Sequence, residues 1–123
     1  MDVKPLIQEI KNAAMEIYKE LGSGYNEEIY EEALALELRQ RKIKYEVEHN
    51  TEIFYKGSKV GIHRLDFILE DKLVVELKAQ MGITKSHIGQ TRAYLKTLKL
   101  KDGLLVNFPY PDKDEPDFME INF

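Results

Sequence analysis

Arg64-Leu65-Asp66-Phe67-Ile68-Leu69 and Leu73-Val74-Val75-Glu76-Leu77-Lys78 are two strand-like runs separated by the short polar turn Glu70-Asp71-Lys72. Side chains alternate along a strand, so Glu76 and Lys78 share one face while Leu77 points to the other. If all three turn residues form the loop, Leu69 pairs with Leu73 and Asp66 falls opposite Glu76. A two-residue loop at Asp71-Lys72 would instead send Asp66 to the opposite face. Like charges facing each other across a ladder are destabilising, and burial among valines and leucines adds to the cost. A divalent cation between the two carboxylates converts that repulsion into coordination. The competing reading is an exposed hairpin face on which Asp66, Glu76 and Lys78 are merely solvated. Against it, Leu73-Val74-Val75 is apolar at consecutive positions, the pattern of a central strand covered on both faces.

Outward from this hairpin the chain divides into helical and extended parts. Pro5 suits the first turn of a helix with Asp2 as a nearby cap, and Leu6, Ile10, Ala13/Ala14, Ile17 and Leu21 recur at helical spacing. Gly22-Ser23-Gly24 stops that helix. Asn26 caps a second, in which Ile29, Tyr30, Ala33, Leu34, Leu36 and Leu38 supply a broad apolar face as far as about Lys42. Ile43–Val47 and Glu52–Tyr55 read as two further strands, the second ended by Lys56-Gly57-Ser58. Thr84 to Leu98 is helical, with Ile88, Thr91 or Ala93, Leu95 and Leu98 on its core side. Gly103–Phe108 reads as a buried strand. A loop rich in proline and acid follows, from Pro109 to Asp117, and Phe118–Phe123 is a candidate edge strand. Consecutive strands imply antiparallel meanders, and the final strand–helix–strand implies a right-handed parallel crossover. The expected fold is therefore α/β, a mixed central sheet flanked by helices in the order α-α-β-β-β-β-α-β.

Length and composition restrict the rest. A chain of 123 residues is expected to form one domain over 1–123, with 109–123 as an acidic, proline-rich tail. Hydrophobic content of 43% and charged content of 33% exclude a disordered chain. There is no cysteine, which excludes disulfides and thiolate metal sites and suits a reducing compartment. His49, His63 and His87 are too scattered for a zinc site. No apolar signal core or membrane-length run is present, so the expected location is cytoplasmic. The net charge of −4 opposes a non-specific nucleic-acid coat but not an enzyme acting on nucleic acid. The basic runs 39–44 and 96–101 fall at helix ends, where cations meet the dipole.

Asp66, then nine residues, then Glu76-Leu77-Lys78 resembles the PD-(D/E)XK signature of restriction-endonuclease-like nucleases, with Leu65 where the name has proline. Gly24-Tyr25-Asn26-Glu27-Glu28-Ile29-Tyr30 is similar to the motif of the GxxExxY family, with Gly24, Glu27 and Tyr30 at its fixed positions. Gln90-Thr91-Arg92-Ala93-Tyr94 resembles the QxxxY motif of exonuclease-type members. The resemblance implies a restriction-endonuclease-like core and a Mg²⁺- or Mn²⁺-dependent phosphodiesterase acting on nucleic acid, DNA ahead of RNA. It implies Asp66, Glu76, the Leu77 backbone carbonyl and Glu27 as metal ligands, and Lys78 as the group that orients the attacking water. Gln90 and Tyr94 would then contact the scissile phosphate or a base, with Arg64 and His87 as further substrate contacts. Helix-dipole stabilisation for Glu27, core packing for Tyr94 and carboxylate pairing for Arg64 are the structural alternatives. The alternative function is a catalytically idle module of the same fold that binds nucleic acid or a protein, for which a homodimer would widen the surface.

Overall fold

The computed structural model describes residues 2–111 and 113–123, and the side chains among them other than those of Glu48, His49 and Leu65. Asp112 of the acidic loop, the His49 side chain and the Leu65 side chain at the motif's proline position lie outside the described residues.

Helix α1 (Lys4–Leu21) carries Pro5 in its first turn, where a missing N–H is no loss, and the Lys4 N–H donates to Asp2 Oδ1 at 3.0 Å. Ile7, Ile10, Ala13, Ala14, Ile17 and Tyr18 form its buried stripe. Gly22 ends it with φ 75°, a conformation only glycine adopts without steric cost. Helix α2 (Glu27–Gln40) is capped by Asn26, whose side chain accepts the Ile29 N–H. Its buried stripe is Tyr30, Leu34, Ala35 and Leu38, while Ile29 and Leu36 are exposed. The broad apolar face expected from the sequence is thus narrower, because α2 packs on the sheet along one i, i+4 row.

Five strands follow, β1 (Tyr45–Tyr55), β2 (Ser58–Leu69), β3 (Leu73–Lys78), β4 (Asp102–Asn107) and β5 (Asp117–Asn122), with helix α3 (Lys85–Leu98) between β3 and β4. They form one sheet in the order β1-β2-β3-β4-β5. β3 and β4 are parallel and the other neighbours antiparallel. The mixed sheet and its crossover match expectation, and the tail does add an edge strand. The element order differs, running α-α-β-β-β-α-β-β. The two short strands expected over 43–55 are one strand, because its polar middle keeps pairing with β2, Asn50 opposite Arg64 and Thr51 opposite His63. Pairing across a ladder overrides a local break in alternation.

The β2–β3 turn has the three-residue form. Leu69 pairs with Leu73, Glu70 and Asp71 take left-handed φ of 51° and 56°, and Lys72 N–H closes on the Leu69 carbonyl at 2.9 Å. β3 is central: Leu73, Val74, Val75 and Leu77 have no solvent exposure. Leu73, Val75 and Leu77 face the core beneath α1 and α2, whereas Val74 faces the smaller core beneath α3. By alternation Glu76 and Lys78 point to the α3 side.

Helix α3 lies close against β4. A Cβ at Gly103 would meet Thr91 Cγ2 at 2.9 Å and Leu95 Cδ1 at 3.4 Å. Thr91 is fully buried, and its hydroxyl donates to the His87 carbonyl at 3.0 Å, so it has little freedom to retreat. Gly103→Ala is expected to cost about 1–3 kcal/mol by overpacking, read as a lower melting temperature in a thermal scan. An unchanged value would mean that α3 can slide off the sheet.

Candidate active site

The β2–β3 ladder runs from Leu69↔Leu73 to Phe67↔Val75. At its open end, side chains take over the pairing. Asp66 N–H donates to Glu76 Oε1 at 3.0 Å, and Leu77 N–H donates to Asp66 Oδ2 at 2.7 Å. The two carboxylates therefore sit side by side, each fixed through one oxygen by a backbone amide, and Glu76 is only 4% exposed. The three-residue turn sets this register, so Asp66 and Glu76 share a face as the hairpin reading required.

These two residues open into a cleft of about 620 Å³, lined also by Asn26, Glu27, Glu28, Glu31, Arg64, Lys78, Ala79, Gln80 and Tyr94. Glu27 enters from the first turn of α2, held there by the Asn26 cap. Tyr94 approaches from α3, and its hydroxyl donates to the Arg64 carbonyl at 3.1 Å. The cleft thus gathers Glu27, Arg64, Asp66, Glu76, Lys78 and Tyr94 from four elements, α2, the β2–β3 hairpin and α3.

Burial dominates the electrostatics. It pushes the Glu76 carboxyl up to about 8, and the neighbouring Asp66 charge pushes the same way. Burial also raises Asp66, against the opposing pull of the Leu77 N–H and the Lys78 ammonium. Tyr94 is raised to about 12 by burial and then by the two carboxylates, which keeps its phenol a proton donor toward Arg64.

Two sequence-expected residues stand elsewhere. Gln90 is exposed on α3 and does not line the cleft. The buried stripe of α3 is His87, Thr91, Tyr94 and Leu95. At 100° per residue Gln90 lies roughly 85° from its centre, on the same flank as Tyr94 but farther round. His87 is buried as the second half of a capping box rather than as a cleft residue. Its Nδ1 accepts the Thr84 N–H at 3.1 Å, and Thr84 Oγ1 accepts the His87 N–H at 3.2 Å. Burial, reinforced by the Lys78 charge, lowers its pKa and keeps the imidazole neutral. His63 packs edge-on against the Tyr94 ring, with centroids 4.8 Å apart.

Sequence reasoning missed Glu31, Gln80 and Asn107. Glu31 lies one helical turn after Glu27, a spacing that could have flagged it. Asn107 is fully buried at the end of β4. Its side chain accepts the Gln80 N–H and donates to the Gln80 carbonyl, both at 2.9 Å, and donates to Asp117 Oδ2 at 3.1 Å. With Phe108 N–H donating to the Lys78 carbonyl at 2.8 Å, this clamp holds Lys78-Ala79-Gln80 as the chain leaves β3. A lone polar residue closing an apolar strand was its only trace in the sequence.

Among the described residues no three His, Asp or Glu side chains already converge as a metal cage. Mg²⁺ does not need one, since it keeps several waters and takes one or two carboxylates plus substrate phosphate. Asp66 and Glu76 fit that demand. Glu76 is buried and Asp66 partly so, and the two are mutually repelling and pinned through one oxygen each at the base of an open cleft.

A mixed five-stranded sheet with such a cleft at the splayed end of its central hairpin is the architecture of a restriction-endonuclease-like protein. A family model described as PD-(D/E)XK nuclease superfamily matches residues 4–118, and the chain belongs to that superfamily. No curated protein matches the chain. Among solved structures, one titled "Crystal structure of SSO0001" is similar, with a TM-score of 0.58 and 26% identity, covering 77% of this chain and 48% of that one. The chain spans about half the length of that protein. Among the described residues no helix is long and apolar enough to cross a membrane.

Proposed function

We infer that the chain is a nuclease of the GxxExxY type, hydrolysing phosphodiester bonds of nucleic acid with Mg²⁺ or Mn²⁺. The observation that carries this reading is the pair of buried Glu76 and half-buried Asp66 with Lys78 beside it in one cleft. A pure binding surface for a polyanion has no use for two adjacent acids withdrawn from solvent in whole or in part. Gly24, Glu27 and Tyr30 support the family branch. Gly24 takes φ 101° in the interhelical turn, Glu27 lines the cleft, and Tyr30 is buried with its hydroxyl donating to the Gly22 carbonyl at 2.6 Å.

Asp66 and Glu76 would hold the ion, with the Leu77 carbonyl and Glu27 as further candidate ligands. When bound, the ion supplies a Lewis acid for the phosphoryl oxygen and a more acidic water. The Leu77 N–H keeps Asp66 oriented, and the Asp66 N–H does the same for Glu76. Lys78 orients the attacking water and offsets charge developing on the phosphate. Arg64, its backbone tied to Tyr94, meets a neighbouring phosphate. Gln90 is the exposed group on α3 that a longer substrate reaches next.

Single- and double-stranded DNA and RNA incubated with Mg²⁺ or Mn²⁺ test this. Cleavage that chelation stops, and that Lys78→Ala reduces by about 10²-fold or more, is the expected result. Metal-dependent binding with no cleavage of any substrate would refute it in favour of the idle module.

A further inference from the structure

A second cavity, of about 310 Å³, adjoins the catalytic cleft and shares Ala79 with it. Its other lining residues are Gly24, Tyr25 and Tyr110. Both tyrosines are unusually open for large aromatic side chains, Tyr25 at 47% and Tyr110 at 59% exposure. They are nonetheless anchored. The Tyr25 ring meets Tyr30 edge-on, at 6.1 Å and 77°, and Tyr30 is itself stacked on Phe108 at 4.2 Å and 5°. Tyr110 N–H donates to the Gln80 carbonyl at 3.1 Å, two residues beyond Lys78. Gly24 lies beside Tyr110, where a Cβ would come within 3.9 Å of Tyr110 Cε2.

We propose that this cavity is a nucleobase subsite, in which Tyr25 and Tyr110 stack an unpaired base next to the phosphate held at Lys78. The inference rests on the nuclease reading above and adds that the preferred substrate is single-stranded at this position. The chemistry follows from the surfaces. Exposed, rigid aromatic faces bind any base through its π-face, and each stacked base contributes about 1–3 kcal/mol. A paired base in a duplex has both faces occupied by its neighbours and cannot enter. The shared Ala79 sets the cavity directly beside the cleft, so one strand can run from carboxylates to tyrosines.

Asp66→Asn protein, in which cleavage should be too slow to consume the strand during a titration, is titrated with a fluorescent single-stranded DNA in the presence of Mg²⁺. Adding Tyr25→Ala or Tyr110→Ala is expected to weaken binding about tenfold, while Tyr25→Phe and Tyr110→Phe retain it. The same strand made of abasic sites should bind the unsubstituted tyrosine protein as weakly as the alanine variants bind normal DNA. The abasic comparison needs no folding of a variant. Undiminished binding by both alanine variants, or of the abasic strand, overturns the subsite while leaving the nuclease reading intact. If protein with native Asp66 neither cleaves nor binds any nucleic acid, both fall together.

Discussion

Asp66→Asn is expected to lower metal-dependent cleavage by about 10²–10³-fold without lowering the melting temperature. The substituted amide oxygen can still accept the Leu77 N–H that Asp66 Oδ2 accepts at 2.7 Å, so the hairpin keeps its closure. What disappears is the negative charge that would hold the ion. Asp66→Ala should behave differently. It leaves the Leu77 N–H unpaired at a largely buried position, a loss of about 1–3 kcal/mol. Steady-state cleavage and thermal unfolding on the two variants separate electrostatic loss from structural loss. Full activity in Asp66→Asn would remove Asp66 from the site. A lower melting temperature in Asp66→Asn would mean that its role is mainly structural.

Glu76→Gln is expected to abolish cleavage yet stabilise the metal-free protein at pH 8. The folded-state pKa of Glu76 lies at about 8, above the ordinary 4.5. Its favourable contribution is thus fully present below pH 4.5, where the acid is neutral in both folded and unfolded chains. That contribution is lost as pH rises through about 8, because the unfolded chain ionises first. One pKa unit corresponds to about 1.4 kcal/mol, so metal-free protein should lose roughly 2–4 kcal/mol between pH 5 and pH 8. Glu76→Gln remains neutral throughout and should show a much flatter profile. Mg²⁺ at pH 8 should raise the melting temperature of the unsubstituted protein by mass action, and that of Glu76→Gln far less. Denaturant titrations at several pH values, with chelator and with Mg²⁺, read both effects. A pH-independent difference between the two proteins would show that Glu76 is not held in a charge-hostile position.

Much of the architecture was legible because local chemistry and tertiary demand agreed. Pro5, Asn26 and Gly22 mark helix ends, each through its own backbone or side-chain chemistry, and all three act where expected. The consecutive apolar residues of β3 announced a strand covered twice. Where the two levels competed, tertiary pairing decided: β1 runs unbroken through a polar stretch because β2 supplies its hydrogen bonds.

The sequence by itself determined which residues carry charge in an apolar setting. Asp66, Glu76 and Lys78 stand out because strand periodicity and composition are local properties. Tertiary structure alone decided which of the other candidates join them. Helix α2 brings Glu27 and Glu31 to the cleft, and α3 presents Tyr94 while turning Gln90 outward and burying His87 as a cap. It also decided that Asn107, 27 positions from Gln80 and part of no motif, would clamp the chain as it leaves β3 after Lys78. The angular position of a residue on a packed helix, and its partners across a parallel crossover, depend on how whole elements dock. No window of sequence contains that information.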